Sequence, residues 1–432
     1  MMGVYVKCHN KTISDIIFQL RKEKNLTYAE LEELTGVSSA VLHKIESGVT
    51  KHPEYKTVKA LARALPVHYE QIIKAYIEEE GGVETLFEIL RDIVASGENV
   101  SLIPMAALRL LQSSQKKTEE SLQRLFEFTE TLNDDSLRVL LHTVIIKYSR
   151  ERGLPSFVGK GIFKKYLIIR SNLSLLEETF REGEEILHYT DFLSQEEKCI
   201  YYYRMALHAY ALKKYDKCIE LGKSGHGVDT THNNLKEQVA LAICNSFWQQ
   251  SNYKALEEHI QLYEKLNYQI IIDRLKIFRA MILARTDRYM ESLPLLWECL
   301  DEVQGDKRLP RLNLLLEVLL QINDDSSVEK LISSDEERLF PYENATPYQY
   351  SEIGKYYKFK GAFFIKKGRA NQAVETYLKG VKYYGKIGSY QDIVELSYDI
   401  FSSLCSDKNI INLGLLEEVK KVYNGIINKG EA

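Results

Sequence analysis

Residues 26–48, LTYAELEELTGVSSAVLHKIESG, constrain the fold more than any other stretch of the chain. Thr27 can cap a helix over 28–34, Gly36 permits a left-handed turn, and Ser38 can cap a second helix over 39–47. This pattern predicts a helix-turn-helix. The apolar positions of the motif recur at spacings that let two crossed helices share one small core. They are Ala29, Leu31, Leu34, Val37, Val41, Leu42 and Ile45.

The second helix of the motif keeps Ser39, Ala40, His43 and Lys44 outward. These short or polar side chains suit a helix that lies in the major groove and reaches base edges. The predicted DNA-binding residues are Thr27, Tyr28, Ser38, Ser39, Ala40, His43, Lys44 and Lys51. A histidine without contacts and solvated lysines are the alternatives that stay open at this stage.

Further helices are predicted over 12–23, 55–65 and 68–80, which makes a domain of five helices. With 26–48, then Pro53, then TVKALARAL at 57–65, the segment resembles the Xre/Cro-type DNA-binding domains. The resemblance implies binding to double-stranded operator DNA. One position departs from it, because Tyr28 stands where that family usually has a glutamine that helps fix the recognition helix on DNA.

Composition favours a globular protein of more than one domain, with 432 residues of which 45% are hydrophobic and 27% charged. No apolar run approaches the roughly 20 residues of a membrane span. The N-terminal MMGVYVKCHN has no apolar core of a signal peptide, so a cytoplasmic protein is expected. The six cysteines include no close pair, which argues against a zinc site or a disulfide framework, and we expect no metal and no cofactor.

Charge is unevenly distributed along the chain. Residues 1–75 contain eleven Lys and Arg against eight Asp and Glu, whereas the whole chain has a net charge of -4. A small basic head on an acidic body fits a protein in which the head alone touches DNA.

An internal repeat decides the expected architecture of the rest of the chain. Similar helix-turn-helix pairs recur around Leu173, Tyr215, Tyr253 and Tyr289, at spacings of 42, 38 and 36 residues, and again after Gly368. One helix pair of this size cannot bury its own apolar face and must stack on its neighbours, as in a solenoid. The units resemble tetratricopeptide repeats, most clearly at 354–383, where the packing positions are Gly361, Ala373, Tyr377 and Gly380.

The predicted fold is therefore all-α, with three regions. A helix-turn-helix domain takes 1–80, and a helical connector with the first solenoid helices takes 81–160. Tetratricopeptide-like repeats take 161–432 and end in a capping or dimerisation helix over 413–427. We expect GLPSFVGKG at 153–161 to be a loop and 306–350 to be irregular. The loop imitates a phosphate-binding motif but has the wrong spacing, and Gly161 replaces the required Ser or Thr.

The first helix of each pair should line the concave side of the solenoid. Asn245 is the informative residue there, because its amide can donate to and accept from an extended peptide backbone at once. The predicted peptide-binding residues are Tyr203, Arg204, Leu207, Tyr210, Leu241, Asn245, Trp248, Gln249 and Arg279. Hydrogen bonding within the repeats and solvation of the arginines are the alternatives.

A DNA-binding head before such repeats resembles the RRNPP group of peptide-pheromone receptors. The stretches CNSFWQQSNYKALEEH and YYKFKGAFFIKKGRANQAVETYLKG are most similar to the arbitrium receptors of Bacillus phages and their relatives. The resemblance implies a homodimeric quorum-sensing regulator that binds a short signalling peptide. A transcription factor whose repeats bind a protein partner, and a Rap-like response-regulator inhibitor, stay open.

Two further expectations complete the sequence analysis. The chain has no HExxH, no GxSxG and no Cys/His pair at ligand spacing, so we expect no catalytic residues and no enzyme. The C-terminal helix over 413–427 is the expected dimer seam, with a solenoid cap as its alternative. Its apolar side is formed by Leu415, Leu416, Val419, Val422, Tyr423 and Ile426.

Overall fold

The computed structural model describes residues 12–64, 69–113, 118–172, 175–335, 346–406 and 413–427. The described residues form α-helices and short 3-10 turns, with no strand among them, so the predicted all-α class is confirmed. No described helix is long and apolar enough to span a membrane. The chain divides into two compact units, 1–246 and 247–432, and each is described by itself.

Five short helices form the N-terminal domain: α1 Ile13–Glu23, α2 Tyr28–Thr35, α3 Ser39–Glu46, α4 Tyr55–Ala64 and α5 Tyr69–Glu79. Gly36 ends α2 in the left-handed conformation, with φ of 71°, as the motif requires. Leu65, the predicted end of the fourth helix, and position 68, the predicted start of the fifth, lie outside the described residues.

The core of the helix-turn-helix is smaller than the sequence predicts. Leu31, Leu42 and Ile45 are fully buried. The prediction is wrong for Ala29, Leu34 and Val41, whose side chains are exposed. A helix of eight residues buries one narrow stripe, and here α1, α4 and α5 supply the rest of the core.

Five connector helices follow: α6 Val83–Ser96, α7 Ile103–Gln112, α8 Thr118–Glu130, α9 Asp135–Glu151 and α10 Pro155–Ile169. Buried side chains from Ile13 in α1 to Tyr148 in α9 belong to one continuous core. Lys59 of α4 also forms an ion pair with Asp92 of α6. The DNA-binding head is thus packed against the connector. The predicted boundary at residue 80 stays a prediction.

The expected loop at 153–161 is wrong, because α10 begins at Pro155 and runs through it. Proline is favoured at the first position of a helix, where its missing N–H costs nothing. The glycines serve close packing instead of a turn. A β-carbon at Gly159 would lie 2.6 Å from Cβ of Tyr189, and one at Gly161 would lie 2.8 Å from Cγ1 of Ile146.

Successive helix pairs make up the rest of the chain. The first unit continues with α11 Leu176–Glu184, α12 Gln195–Ala211, α13 Tyr215–Val228 and α14 Asn234–Gln249, whose last three residues belong to the second unit. The second unit contains α15 Tyr253–Lys265, α16 Gln269–Ile272, α17 Leu275–Arg285, α18 Tyr289–Asp301, α19 Arg308–Gln321, α20 Asp325–Asp335, α21 Pro347–Lys366, α22 Ala370–Lys386, α23 Tyr390–Ser406 and α24 Leu413–Ile427.

The turns of these pairs share one geometry. In five of the described pairs, a residue with positive φ stands two positions before the second helix; these residues are Lys213, Ser251, Asp287, Asn323 and Gly368. The expectation of an irregular stretch over 306–350 is therefore wrong where the chain is described, because α19 and α20 form such a pair around Asn323. The sequence hid this pair because α20 begins with Asp325 and not with an aromatic residue.

The C-terminal helix α24 packs within its own chain. Leu415 and Val422 are buried against α22 and α23, and Val419, Tyr423 and Ile426 pack on the same core. The Tyr423 hydroxyl lies 2.6 Å from Oγ of Ser397. Of the six side chains predicted as a dimer seam, Leu416 is the one that is exposed, at 44%. This packing favours the capping role, and a dimer seam on α24 stays a prediction.

Candidate nucleic-acid interface

The outward side of α3 is the candidate base-reading surface. Ala40, His43 and Lys44 are exposed and Ser39 is half-buried, while Leu42 and Ile45 fix the opposite side in the core. The loop that follows is bonded back to the helix, because the Thr50 backbone N–H donates to the Lys44 carbonyl at 2.9 Å. This arrangement presents a short, mildly basic helix face of the type that enters a major groove.

A carboxylate from the preceding helix caps α3. Both the backbone N–H and the hydroxyl of Ser39 donate to Oε2 of Glu32, at 2.8 and 2.6 Å. These bonds hold the pKa of Glu32 below its usual range. The predicted capping residue Ser38 has the backbone conformation of a cap, but its side chain makes no capping bond. The prediction of a Ser38 side-chain cap is therefore wrong.

A buried ion pair holds the other end of α3. Arg21 of α1 donates from Nε and Nη2 to the two carboxylate oxygens of Glu46, at 2.7 and 2.8 Å, and from Nη1 to the Leu26 carbonyl at 2.9 Å. The hydrogen bonds to Glu46 raise the pKa of Arg21 against the opposing effect of burial. The recognition helix α3 is thus fixed to α1 by a bidentate and buried ion pair.

Tyr28 belongs to the same cluster. Its hydroxyl donates to Glu46 at 2.9 Å, and the Arg21 guanidinium lies 4.2 Å from the centre of its ring. Burial, followed by the bond to Glu46, raises the pKa of Tyr28. The Tyr28 ring also meets His43 edge-on, with 5.9 Å between ring centres. At the position where related domains usually carry a glutamine, this chain has a side chain that orients the recognition helix from behind.

Thr27 precedes the first helix of the motif, and Lys51 follows the second. The Thr27 hydroxyl and backbone N–H both donate to the Glu30 carboxylate, at 2.8 and 2.7 Å, as a capping box for α2. Lys51 is exposed, in the loop that Pro53 closes. The Pro53 carbonyl accepts a hydrogen bond from the Tyr76 hydroxyl at 2.9 Å. Lys51 therefore extends from an anchored segment beside α3.

Comparisons with known proteins agree with this geometry. A helix-turn-helix family model matches residues 17–72. Two proteins of Bacillus subtilis strain 168 are similar: the uncharacterized HTH-type transcriptional regulator RghRB, 31% identical over 120 residues, and the HTH-type transcriptional repressor RghR, 30% identical over 119 residues. The matches cover 85% and 87% of those proteins. The chain belongs to the HTH-type transcriptional regulators.

The same matches cover 26% and 27% of this regulator, so most of its chain has no counterpart in them. Among the described residues, no three His, Cys, Asp or Glu side chains converge as metal ligands.

The first unit contains most of the predicted peptide-binding residues. Arg204, Leu207 and Tyr210 of α12 and Leu241 and Asn245 of α14 are all half-buried. Asn245 lies within hydrogen-bonding reach of the Tyr210 hydroxyl. Burial raises the pKa of Tyr210. The contact within the repeats that the sequence left open is therefore present.

Tyr203 differs from the other predicted residues, because it is fully buried. It packs so closely on α13 that a β-carbon at Gly225 would lie 2.6 Å from its ring, and its hydroxyl donates to Asp229 at 3.0 Å. The ring is therefore buried in this structure, and a peptide-binding role for Tyr203 stays a prediction. Tyr203 lies on the side of α12 that faces α13, and its ring fills the space beside Gly225, which has no side chain.

Two arginines of the first unit stand close enough to affect each other. Burial lowers the pKa of Arg204, and the charge of Arg170 at the end of α10 lowers it further. Nε of Arg170 is buried without a hydrogen-bond partner. Among the described residues, neither guanidinium forms an ion pair with a carboxylate. Arg170 was not among the predicted peptide-binding residues, because it ends α10 and does not lie on the first helix of a pair as Arg204 of α12 does.

The remaining predicted residues belong to the second unit. Trp248 is half-buried against Tyr253, with 5.4 Å between ring centres, and the Arg285 guanidinium lies 5.6 Å from its ring centre. Gln249 is exposed. Arg279 forms an ion pair with Glu264 at 3.0 Å, so its charge is already matched. A peptide-binding role for these three residues stays a prediction.

Proposed function

We propose that this regulator binds operator DNA through its N-terminal domain and responds to a short signalling peptide held by its repeats. The observation that carries the DNA-binding part is the exposed side of α3 with His43 and Lys44, on a helix fixed at one end by Glu32 and at the other by Arg21 and Glu46. A preorganised helix spends no binding energy on ordering itself. RghR is named a repressor, and repression of a target promoter is the corresponding activity of this chain.

The unmatched pair Arg170 and Arg204 supports a ligand that carries a carboxylate. Two half-buried guanidiniums near each other are costly without an anion, whereas an incoming carboxylate would gain charge-assisted hydrogen bonds from them. A peptide C-terminus or an acidic side chain has this chemistry. The side-chain amide of Asn245 can take part in four hydrogen bonds, and its contact with Tyr210 uses one of them.

The proposed regulator acts as a homodimer on an inverted repeat, since one small head contacts few bases and two half-sites multiply affinity and specificity. We further propose that the protein is a cytoplasmic receptor of the RRNPP type, that its repeats are tetratricopeptide-like, and that it has no enzymatic activity.

The DNA-binding part is tested by selection from a library of random duplexes with the full chain. We expect the wild type to enrich a discrete motif and the double variant His43→Ala with Lys44→Ala to lose it, since each base contact contributes about 1 to 3 kcal/mol. Lys74→Ala is the matched control, because Lys74 is exposed on α5 and its loss removes one positive charge. The same motif enriched by the double variant would show that α3 does not read the bases.

A further inference from the structure

An exposed apolar stripe runs along α23. Tyr390, Val394, Tyr398 and Phe401 are 69%, 67%, 73% and 56% exposed, and Cys405 continues the line. The spacings of four, four, three and four residues place these five side chains on one side of the helix. From Val394 onward, they follow the alternation of three and four residues that two helices use when they pack along a common seam.

The opposite side of α23 is fully used within the chain. Leu396 and Ile400 are buried in the core that α22, α23 and α24 share. The stripe is therefore a second apolar face on a helix whose first face already holds it in place. Large exposed apolar patches of this kind on a folded protein mark interaction surfaces.

We infer that the stripe on α23 is the surface through which two copies of this chain associate; the inference rests on the proposed dimeric regulator. A two-fold axis brings each surface against itself, so that any charge near the axis meets an identical charge. The stripe has no charged side chain. Glu395, which follows Val394 in the chain, already forms an ion pair with Lys358 of α21 at 2.6 Å.

The exposed area also suits a second copy. Aromatic side chains of this size contribute about 150 to 250 Å² each when they are buried. At the exposures given above, the three rings and Val394 offer about 500 Å² per copy and about 1,000 Å² in a symmetric pair, the lower bound of a specific interface. Among the described side chains of α24, Leu416 is the one large exposed apolar residue, which favours α23 as the seam.

The test is light scattering and sedimentation of the full chain over a concentration series. The wild type should have twice the 50.0 kDa mass of one chain. Tyr398→Glu should raise the dissociation constant of the dimer by about 100-fold or more, since it buries an unpaired charge at the centre of the face in both copies. Tyr398 is exposed, so circular dichroism should show an unchanged fold.

Leu262→Glu is the matched control, because it places the same charge on an exposed apolar position of α15. It should leave the dimer intact. A monomeric wild type, an unchanged dimer in Tyr398→Glu, equal dissociation by Leu262→Glu, or dissociation by Leu416→Glu in place of Tyr398→Glu would each overturn the inference. Peptide and duplex binding are measured separately, so the inference stands or falls without them.

Discussion

Two arginines of the first unit, the buried Arg21 and the half-buried Arg204, have opposite electrostatic surroundings. Arg21 in the head meets Glu46 through two hydrogen bonds, which raise its pKa. Arg204 in the repeats has another arginine as its charged neighbour, and its pKa is lowered. A buried charge with its counter-charge in place holds a structure together, whereas one without a counter-charge is kept at a cost in stability. The difference separates a residue that positions the recognition helix from one for which we propose a ligand.

The largest expected effect breaks the matched pair. Glu46→Ala leaves the buried Arg21 without its partner and should reduce the stability of the head by about 3 to 5 kcal/mol. Amide hydrogen exchange in α1, α2 and α3 of the full chain measures it. Glu33→Ala is the control, because Glu33 is an exposed carboxylate on α2. Equal exchange in the two variants would mean that the pair does not fix α3.

The next effect concerns the unmatched pair. Arg204→Gln should weaken peptide binding by about 1.5 to 3 kcal/mol, the range for hydrogen bonds to charged groups. The melting temperature should stay the same or rise, because the repulsion from Arg170 is removed. Calorimetry with peptides encoded beside the gene and thermal unfolding are the two measurements.

Arg181→Gln controls for the loss of one arginine, since this guanidinium is exposed and lies 3.9 Å from Glu177. A lower melting temperature in Arg204→Gln with unchanged peptide affinity would assign Arg204 a structural role like that of Arg21.

The smallest effect distinguishes two capping residues. Glu32→Ala should speed hydrogen exchange in the first turn of α3 severalfold, because it removes the acceptor of both Ser39 bonds. Ser38→Ala should leave exchange there unchanged, since the Ser38 side chain caps nothing. The reverse ranking would restore the assignment that the sequence suggests.

Local patterns allowed the head to be predicted from sequence. Caps, the turn glycine and helical periodicity act over a few residues, and α1 to α3 begin and end within a residue or two of their predicted positions. The Arg21–Glu46 pair and the Glu32 cap join residues 25 and 7 positions apart, where no periodic pattern exists. These contacts depend on how the helices pack against one another, which a local sequence pattern does not predict.

The repeats were harder to predict for the same reason. Glycines that allow close helix packing, such as Gly159, cannot be distinguished by sequence pattern from glycines that form turns. The register that placed Leu207 and Tyr210 on a half-buried face also placed Tyr203 there, although a neighbouring glycine on α13 draws that ring into the interior. Periodicity predicts which side of a helix is buried, but it does not predict which neighbouring helix packs against that side.

The most direct test of the central claim measures the affinity of the full chain for its selected duplex with and without a saturating peptide that binds in calorimetry. Because a ligand shifts an equilibrium only by its differential affinity for two states, the wild-type dissociation constant for DNA should change at least about tenfold, or 1.4 kcal/mol. Asn245→Ala should keep the ligand-free affinity for DNA and lose the response to peptide at the same concentration. A wild-type affinity that peptide leaves unchanged would contradict a peptide-responsive regulator.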